Sequence, residues 1–354
     1  MSLNLVRVRS AGDMDSFIDL PLNLPAYRHK GKDLGLILET AGSFNPSLNP
    51  VHRHIKAAFF MVCRGKAPVG RIAAIKDMLY PNRDTGFFGC FECANLSGAA
   101  ALLLDAAKKW LWEKGCRKMI GPVTFNTNQK VGFKLQGAPA PQPMIPGNPS
   151  YYNDLMRESG LTKHTDLYTY SWLIDQRLED SLRERGAQAG QMPGVALRPI
   201  NTSGLQEAGL VRKIYNGSMQ GSWGFVPLTA AESSAMLKYC SSHADPDLMV
   251  TVWYRGLPAG MFIFLPTALS PKAPPKSVRA AVMGVLPPFR RTGLGSYMIG
   301  YLEQIVRKKG YRQVDISMIH EGNGPMRNLL SRTGAGVTGI FRVYQDDREA
   351  KTPG

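Results

Sequence analysis

The feature that most constrains the fold is a glycine-containing turn between an apolar strand and a long amphipathic helix. Residues 278–286 read VRAAVMGVL, the turn carries Gly293 and Gly295, and the following helix is predicted to end at Gly310. Glycine lets the backbone approach an anion closely, so several N–H groups at the start of the helix can point at one spot. The helix dipole adds positive potential there. The segment therefore predicts an anion-binding turn inside an α/β fold.

The residues on both sides of this turn strengthen that prediction. Arg290 and Arg291 precede the glycines, and guanidinium groups pair well with phosphate oxygens. Downstream, after one more predicted strand, Asn323 opens a short helical segment that is followed by Gly334. Over about residues 195–346, this order resembles the pyrophosphate loop and the next helix of the GNAT acetyltransferases.

The resemblance implies an acyl-CoA, in the first place acetyl-CoA, as the co-substrate. It places the pyrophosphate on the backbone N–H groups of residues 291–296 and the pantetheine arm along residues 282–285, like a strand added to a sheet edge. A strand N–H would then stabilise negative charge on the thioester carbonyl. The residues implied to contact the coenzyme are Val282, Gly284, Val285, Arg290, Arg291, Thr292, Gly293, Leu294, Gly295, Ser296, Asn323 and Met326.

The implied reaction is direct transfer of the acyl group to an amine in a ternary complex, which needs a base for the amine and an acid for the leaving thiolate. Many family members carry the acid as a tyrosine seven residues after the asparagine, but this chain has Leu330 there. Either another group protonates the sulfur or the thiolate leaves unassisted, which a thiol pKa near about 8.5 makes tolerable. Tyr297 and Tyr344 are candidate acids, and His320 and Glu321 are candidate bases. All four also have a plain interpretation as packing or solvated residues.

The acceptor site is predicted from polar and aromatic residues in the long connections. Trp223 and Phe225 are candidates to line the acceptor pocket, with core packing as the alternative. Asn126 and Asn128 lie in the Pro-, Gly- and Asn-rich loop 121–147, and a loop of that length is often functional. Their alternative role is to satisfy the loop's own backbone.

The first half resembles the second without its anion-binding turn. Its segment from Asn148 to Gly160 has the same asparagine, helix and glycine order, but residues 93–107 read CANLSGAAALLLDAA where the glycine turn is expected. The segments GPVTFNTN and NPSYY also resemble those of uncharacterised bacterial tandem proteins of the same family. We therefore expect a degenerate domain over residues 1–185, a polar linker over 186–194, and a coenzyme-binding catalytic domain over 195–354.

The alternation of strands and helices predicts an α/β (α+β) fold with two tandem GNAT-like domains. Each domain is expected to hold a mixed, mostly antiparallel sheet flanked by helices. Helices are predicted over residues 205–219 and from Thr229, where Glu232 completes a capping-box pattern.

Composition narrows the class of protein without naming a partner. The sequence contains no uninterrupted stretch of about 18 apolar residues, so no membrane span is predicted. Five cysteines without a visible secretion signal favour a reducing, cytoplasmic setting. Cys90 and Cys93 are expected on opposite faces of a strand, and His52 and His54 are expected to be exposed; no metal site is predicted. The oligomeric state cannot be read from the sequence.

Two other classes of function stay open at this point. The formal charge of +16, from 43 Lys and Arg against 27 Asp and Glu, attracts polyanions in general, so a nucleic-acid binder is one alternative. Leu330 and the missing turn of the first half point to the other, a non-catalytic acyl-CoA sensor or scaffold.

Overall fold

A computed structural model describes residues 2–27, 42–137, 144–174, 192–267, 277–332 and 334–347. The predicted linker over 186–194 lies mostly outside these ranges. The strands are β1 (Leu3–Arg7), β2 (Ile55–Arg64), β3 (Ala67–Asp77), β4 (Thr85–Cys93), β5 (Lys118–Val123), β6 (Phe133–Gly137), β7 (Thr162–Leu173), β8 (Val195–Pro199), β9 (Met249–Tyr254), β10 (Leu257–Pro266), β11 (Ser277–Val285), β12 (Gln313–His320) and β13 (Gly336–Asp347). The helices are α1 (Ala11–Asn23), α2 (Ser97–Glu113), α3 (Tyr152–Glu158), α4 (Leu205–Met219), α5 (Ala230–His243), α6 (Leu294–Lys308) and α7 (Gly324–Arg332).

The two halves repeat the same strand order, as the sequence predicted. Strands β1 to β5 are neighbours in sequence order, and so are β8 to β12. In each run the first four strands pair antiparallel, whereas the last two, β4 with β5 and β11 with β12, pair parallel. The mixed, mostly antiparallel sheets of the predicted tandem fold are confirmed.

The halves exchange their last strands, which the sequence did not predict. The order through the centre is β5-β13-β7-β12, so β13 of the second half pairs with β5, and β7 of the first half pairs with β12. Strands β7 and β13 also pair with each other, from Gly336 opposite Ser171 to Gln345 opposite Thr162. One 13-stranded sheet therefore runs through both halves.

Helices cover both faces of the sheet and bury four apolar clusters. In the second half, α6 and α7 pack on one cluster through residues such as Leu294, Met298 and Leu330, whereas α4 and α5 pack on another through Val211 and Leu237. In the first half, α2 and α3 share one cluster and α1 contributes to the other. The predicted capping box of α5 is confirmed, because the Thr229 hydroxyl accepts from the Glu232 N–H and the Glu232 carboxylate accepts from the Thr229 N–H.

His54 joins the two halves, and the expectation that it is exposed is wrong. Its side chain is 8% exposed and bridges Asp77 of the first half, at 2.9 Å, to Glu232 of the second, at 3.2 Å. Burial acts to lower the pKa of His54, but the hydrogen bonds to the two carboxylates outweigh it and raise the pKa to about 9. The imidazolium therefore compensates two acidic side chains at the interface.

The two cysteines of β4 and the length of the helices can be compared with what the composition predicts. Cys93 packs in the cluster under α2 and α3, whereas Cys90 lies on the other face of β4, as its alternation predicts. None of the helices in the described ranges combines the length and apolar character needed to span a membrane.

Separating the halves should unfold both of them, because each would lose a strand from its sheet. We expect fragment 195–354 expressed alone to aggregate or to lack cooperative unfolding, since β12 would lose β7 and β13 would lose β5. Coexpressed fragments 1–185 and 195–354 should copurify as a 1:1 complex by size-exclusion chromatography. A stable, monomeric second half would contradict the exchange.

The stability of the protein should fall as pH rises through the pKa of His54. The folded pKa of about 9 lies above the pKa of 6.5 that is usual for histidine, so the stabilisation is complete below about pH 6.5 and is lost as pH rises through 9. The shift corresponds to a contribution on the order of 3 kcal/mol to the free energy of unfolding. Urea unfolding at pH 6.5, 8 and 10 should show this fall in the wild type and a flatter profile in His54→Gln. The same pH slope in both proteins would remove His54 as its cause.

Candidate active site

The parallel strands β11 and β12 separate halfway along their length. Their pairing runs from Ser277 opposite Gln313 to Ala280 opposite Ile316. Beyond that point β11 continues to Val285 on its other edge, where it pairs with β10, and β12 pairs with β7. Among the described residues, no strand pairs with the backbone edge of β11 after Ala280. An extended ligand can therefore hydrogen-bond to residues 281–285.

The predicted anion-binding turn lies directly after that free edge. Gly293 is the N-cap of α6 with a φ of 89°, and Arg291 also has a positive φ of 64°. Within the part of the chain that the structure describes, no side chain caps this helix end. The first N–H groups of a helix have no partner within it, so those at the start of α6 are available to an anion. Left-handed backbone is the reason why glycine suits position 293.

Arg290 braces the turn, a role that the sequence did not reveal. Its Nε donates to the Val285 carbonyl at 3.2 Å and its Nη2 donates to the Ser218 carbonyl at 2.8 Å. Ser218 lies in the last turn of α4, where free carbonyls favour a cation. The arginine thus fastens the turn to both β11 and α4, in addition to its positive charge beside the site.

The absence of a side chain at Gly284 lets α4 pack directly on β11. A Cβ at this position would lie 2.4 Å from the Ser218 Oγ, which no real contact permits. Gly284 itself lies opposite Met261 of β10. The glycine predicted to lie beside the coenzyme arm is therefore needed for packing on the other side of the strand.

The asparagine and leucine of the second motif lie on α7. Asn323 caps this helix, because its Oδ1 accepts from the Met326 N–H at 3.3 Å. Leu330 is fully buried in the apolar cluster beneath α6 and α7. The position where the family often has a tyrosine is thus occupied by a packing residue.

His320 and Glu321 belong to a hydrogen-bonded network with the exchanged strand β7. The His320 Nδ1 accepts from the Gly322 N–H, so its Nε2 carries the proton and donates to the Thr165 hydroxyl at 2.8 Å. Thr165 in turn donates to Glu321 at 2.9 Å, and Lys163 binds the other carboxylate oxygen at 2.7 Å.

The network weakens both residues as bases. Burial lowers the pKa of His320. Burial acts to raise the pKa of Glu321, but the hydrogen bonds from Lys163 and Thr165 outweigh it and lower that pKa. The contacts of this pair therefore stabilise the junction of β12 and β7.

Trp223 stacks on His320 rather than standing free. The two rings lie 5.3 Å apart with an interplanar angle of 8°, and the Trp223 Nε1 donates to His164 at 3.1 Å. Phe225, two residues on, is partly buried. The loop after α4 is thus held against the ends of β7 and β12, close to the predicted bases.

Asn128 connects the halves, and Asn126 holds it from within the first half, so that the side-chain amides of both are hydrogen-bonded inside the protein. Asn126 is fully buried, with its amide donating to Asp77 and its carbonyl accepting from the Asn128 N–H. The Asn128 amide donates to the Val226 carbonyl at 2.9 Å and accepts from the Tyr215 hydroxyl at 3.0 Å. These contacts favour a structural role for both residues, and their role in binding an acceptor stays a prediction.

Tyr344 is buried in the first half's cluster, and its role as the acid stays a prediction that this burial does not favour. It lies on β13 opposite Gly121 and packs in the first half's cluster, 1% exposed. Its hydroxyl donates to Asn153 of α3 at 2.9 Å. The strand exchange, which the sequence did not show, carries this tyrosine into the other half.

The first half has lost the opening that the second half retains. Strands β4 and β5 stay paired up to Gly89 opposite Val123, the last residue of β5. Further along β4, the Tyr152 hydroxyl accepts from the Cys93 N–H at 3.0 Å and the Tyr151 hydroxyl donates to the Cys93 carbonyl at 2.7 Å. Side chains from the start of α3 thus occupy the strand edge that an added ligand would use.

A carboxylate also stands at the start of α2, the counterpart of α6. Glu158 accepts a hydrogen bond from the Ser97 hydroxyl in the first turn of that helix. Negative charge at a helix N-terminus is favourable, so the carboxylate takes the place that a phosphate has elsewhere. Both observations agree with a first half that does not bind a coenzyme.

Comparisons with known proteins agree with this architecture. Residues 211–335 match the family model described as Acetyltransferase (GNAT) family. The chain is 28% identical to the bacterial ceramide synthase of Caulobacter vibrioides over 97% of each chain, and 29% identical to protein YghO of Escherichia coli over 84% of each.

Solved structures give the same fold. A tandem GNAT protein from the clavulanic acid biosynthesis pathway matches 99% of this chain and 100% of its own, with a TM-score of 0.61 and 15% identity. A GCN5-related N-acetyltransferase from Sphaerobacter thermophilus matches 97% and 96%, with a TM-score of 0.54 and 12% identity. The second half therefore matches the GNAT family model over residues 211–335, and the whole chain has the fold of tandem GNAT proteins.

Proposed function

We propose that the protein transfers an acyl group from an acyl-CoA to an amine, by direct attack in a ternary complex. The observation that carries this proposal is the free edge of β11 next to the uncapped start of α6. The two features are continuous in the chain, so a ligand with an extended polar arm and a diphosphate fits both at once. Coenzyme A has that form.

The diphosphate would bind the N–H groups of residues 291–296, with Arg290 holding the turn in shape. The pantetheine arm would lie along residues 281–285 as an added strand. This pairing would direct the thioester toward the point where β11 and β12 separate, between Ala280 and Ile316. A free backbone N–H of β11 would then stabilise negative charge on the carbonyl oxygen.

The chemistry proceeds by attack of a neutral amine on the thioester carbonyl. The tetrahedral intermediate collapses with loss of the CoA thiolate, and the amine loses a proton. The predicted roles of His320 and Glu321 as bases stay predictions, and their networks in this structure favour positioning of the site. The coenzyme bound to this turn could carry an acetyl or a longer acyl group.

The relative named bacterial ceramide synthase suggests the class of acceptor. A ceramide is an amide, so forming one from a thioester and an amine is the reaction proposed here. The similarity covers 97% of both chains, including the first half and the exchanged strands. We therefore propose a long-chain amino alcohol as the amine and a long-chain acyl-CoA as the donor.

Leu330 favours a second candidate, a protein that binds acyl-CoA without turning it over. Its buried side chain leaves no acid at the usual position. Such a protein would bind the coenzyme in the same way but would release no thiol with any amine.

We expect one coenzyme site, in the second half, whose affinity for acyl-CoA depends on the turn at Gly293. Calorimetry should find one acyl-CoA per chain. Gly293→Asp should weaken binding at least about 10-fold, or about 1.4 kcal/mol, because it strains a left-handed residue and places a carboxylate against the diphosphate. The control is Gly209→Asp, which adds the same charge to an open site on α4. Equal affinities in the two variants would contradict the site.

Turnover should separate the two candidate functions. Purified protein with palmitoyl-CoA or acetyl-CoA and a C18 2-amino-1,3-diol should release free thiol and form the amide, detected by mass spectrometry. Polar amines such as lysine should react at least about 10-fold more slowly, since they bury little apolar surface. If the protein binds the coenzyme tightly but releases no thiol with any amine, the result would favour the non-catalytic candidate over the enzyme.

A further inference from the structure

The buried Leu330 raises the question of which group protonates the leaving thiolate. This leucine packs beneath α7 in the cluster that also contains Tyr170. Tyr344 lies in the core of the first half, and Tyr297 is on α6. A different hydroxyl near the separation of β11 and β12 is needed if the thiolate leaves with a proton.

Tyr170 lies at the rung where that separation begins. It is opposite Ile316 in the pairing of β7 with β12, and Ile316 is opposite Ala280 in the pairing of β12 with β11. The three residues form one row across three strands, and all three belong to the cluster under α6 and α7. The Tyr170 side chain therefore lies on the same face of the sheet as Leu330, at the row of residues where β11 and β12 begin to separate.

The hydroxyl of Tyr170 reaches the face of α7 that carries Leu330. Arg327 is three residues before Leu330, so the two side chains are neighbours on the helix. The Arg327 Nε donates to the Tyr170 hydroxyl oxygen at 3.3 Å, which leaves the tyrosine proton free to be donated elsewhere. Arg327 is itself fixed by a 2.8 Å bond to the Glu321 carbonyl and lies 4.9 Å from the Tyr168 ring centroid.

We propose that Tyr170 is the general acid of this enzyme, supplied to the second half's site by the first half's strand. The inference rests on the proposed acyl transfer. It assigns to the phenol on β7 the step that Leu330 cannot perform, and it makes Arg327 the positioning residue for that phenol.

The proposed step balances within the site. As the tetrahedral intermediate collapses, the carbon–sulfur bond breaks and the Tyr170 O–H gives its proton to the sulfur, which leaves as the neutral thiol. The resulting tyrosinate is held by the adjacent Arg327 guanidinium. The proton lost by the attacking nitrogen restores the phenol, directly or through water, so no further reactant is needed.

The first half then contributes a catalytic residue, although we propose no coenzyme site within it. Exchange of β7 and β13 places a first-half strand beside β12, where it delivers Tyr170 to the opening. The site is therefore complete only when both halves are folded together.

The decisive experiment measures the single-turnover rate of thiol release from palmitoyl-CoA with a C18 2-amino-1,3-diol. Tyr170→Phe removes one oxygen and keeps the packing, and we expect the rate to fall about 100-fold, in the range for loss of a general acid. Binding of acyl-CoA should change less than about 3-fold, because the phenol acts on the leaving group. Tyr168→Phe, on the same strand and also beside Arg327, is the matched control and should keep its rate within about 2-fold of the wild type.

A pH profile distinguishes acid catalysis from a structural role. The wild-type rate should fall at alkaline pH, where a phenol can no longer donate a proton. Tyr170→Phe should lack the limb. If Tyr170→Phe stays folded and retains its rate within about 2-fold, or if it keeps the alkaline limb, the inference fails while acyl transfer stands. If the wild-type protein shows no turnover, both the role of Tyr170 and the proposed acyl transfer are excluded.

Discussion

The hydrogen bonds between β7 and β12 are the interaction on which the rest of the structure depends. They place β7, a strand of the first half, beside the second half's β12. The pairing of β13 with β5 likewise places a strand of the second half beside the first half's sheet. Each half thus completes the other, and the interface is continued by His54 between two carboxylates and by Asn128 against Tyr215 and Val226. Because β12 is held by β7 along its outer edge, it can separate from β11 without losing all of its partners.

The two halves show how one fold can keep or lose a ligand site. In the second half, the strands separate after Ala280 and a helix begins at a glycine without a side-chain cap. In the first half, the strands remain paired to Gly89, tyrosine hydroxyls bind the edge at Cys93, and Glu158 stands at the start of α2. The backbone architecture is shared, so the difference lies in a few side chains that satisfy the same groups internally. A helix start that already has a carboxylate nearby offers less to a phosphate.

The sequence predicted what depends on local patterns and missed what depends on pairing between distant segments. The turn at Gly293, the α5 capping box and the repeated strand order are written in short stretches of sequence, and the structure contains all three. The strand exchange is invisible locally, because any amphipathic strand can pair with either neighbour. For that reason no local pattern shows that Tyr344 packs against the first half or that Tyr170 lies beside β12. A histidine in a polar segment, His54, became buried only through partners 23 and 178 residues away.

The most direct test of the central claim is hydrogen–deuterium exchange with and without acyl-CoA. The account predicts that backbone amides of residues 281–285 and 291–296 gain protection when the coenzyme is added, because they form the free strand edge and the helix start. Amides of residues 86–98, the counterparts in the first half, should exchange at unchanged rates. Protection in both halves, or none at 281–285 and 291–296 under saturating coenzyme, would contradict the assignment of the site to the opening between β11 and β12.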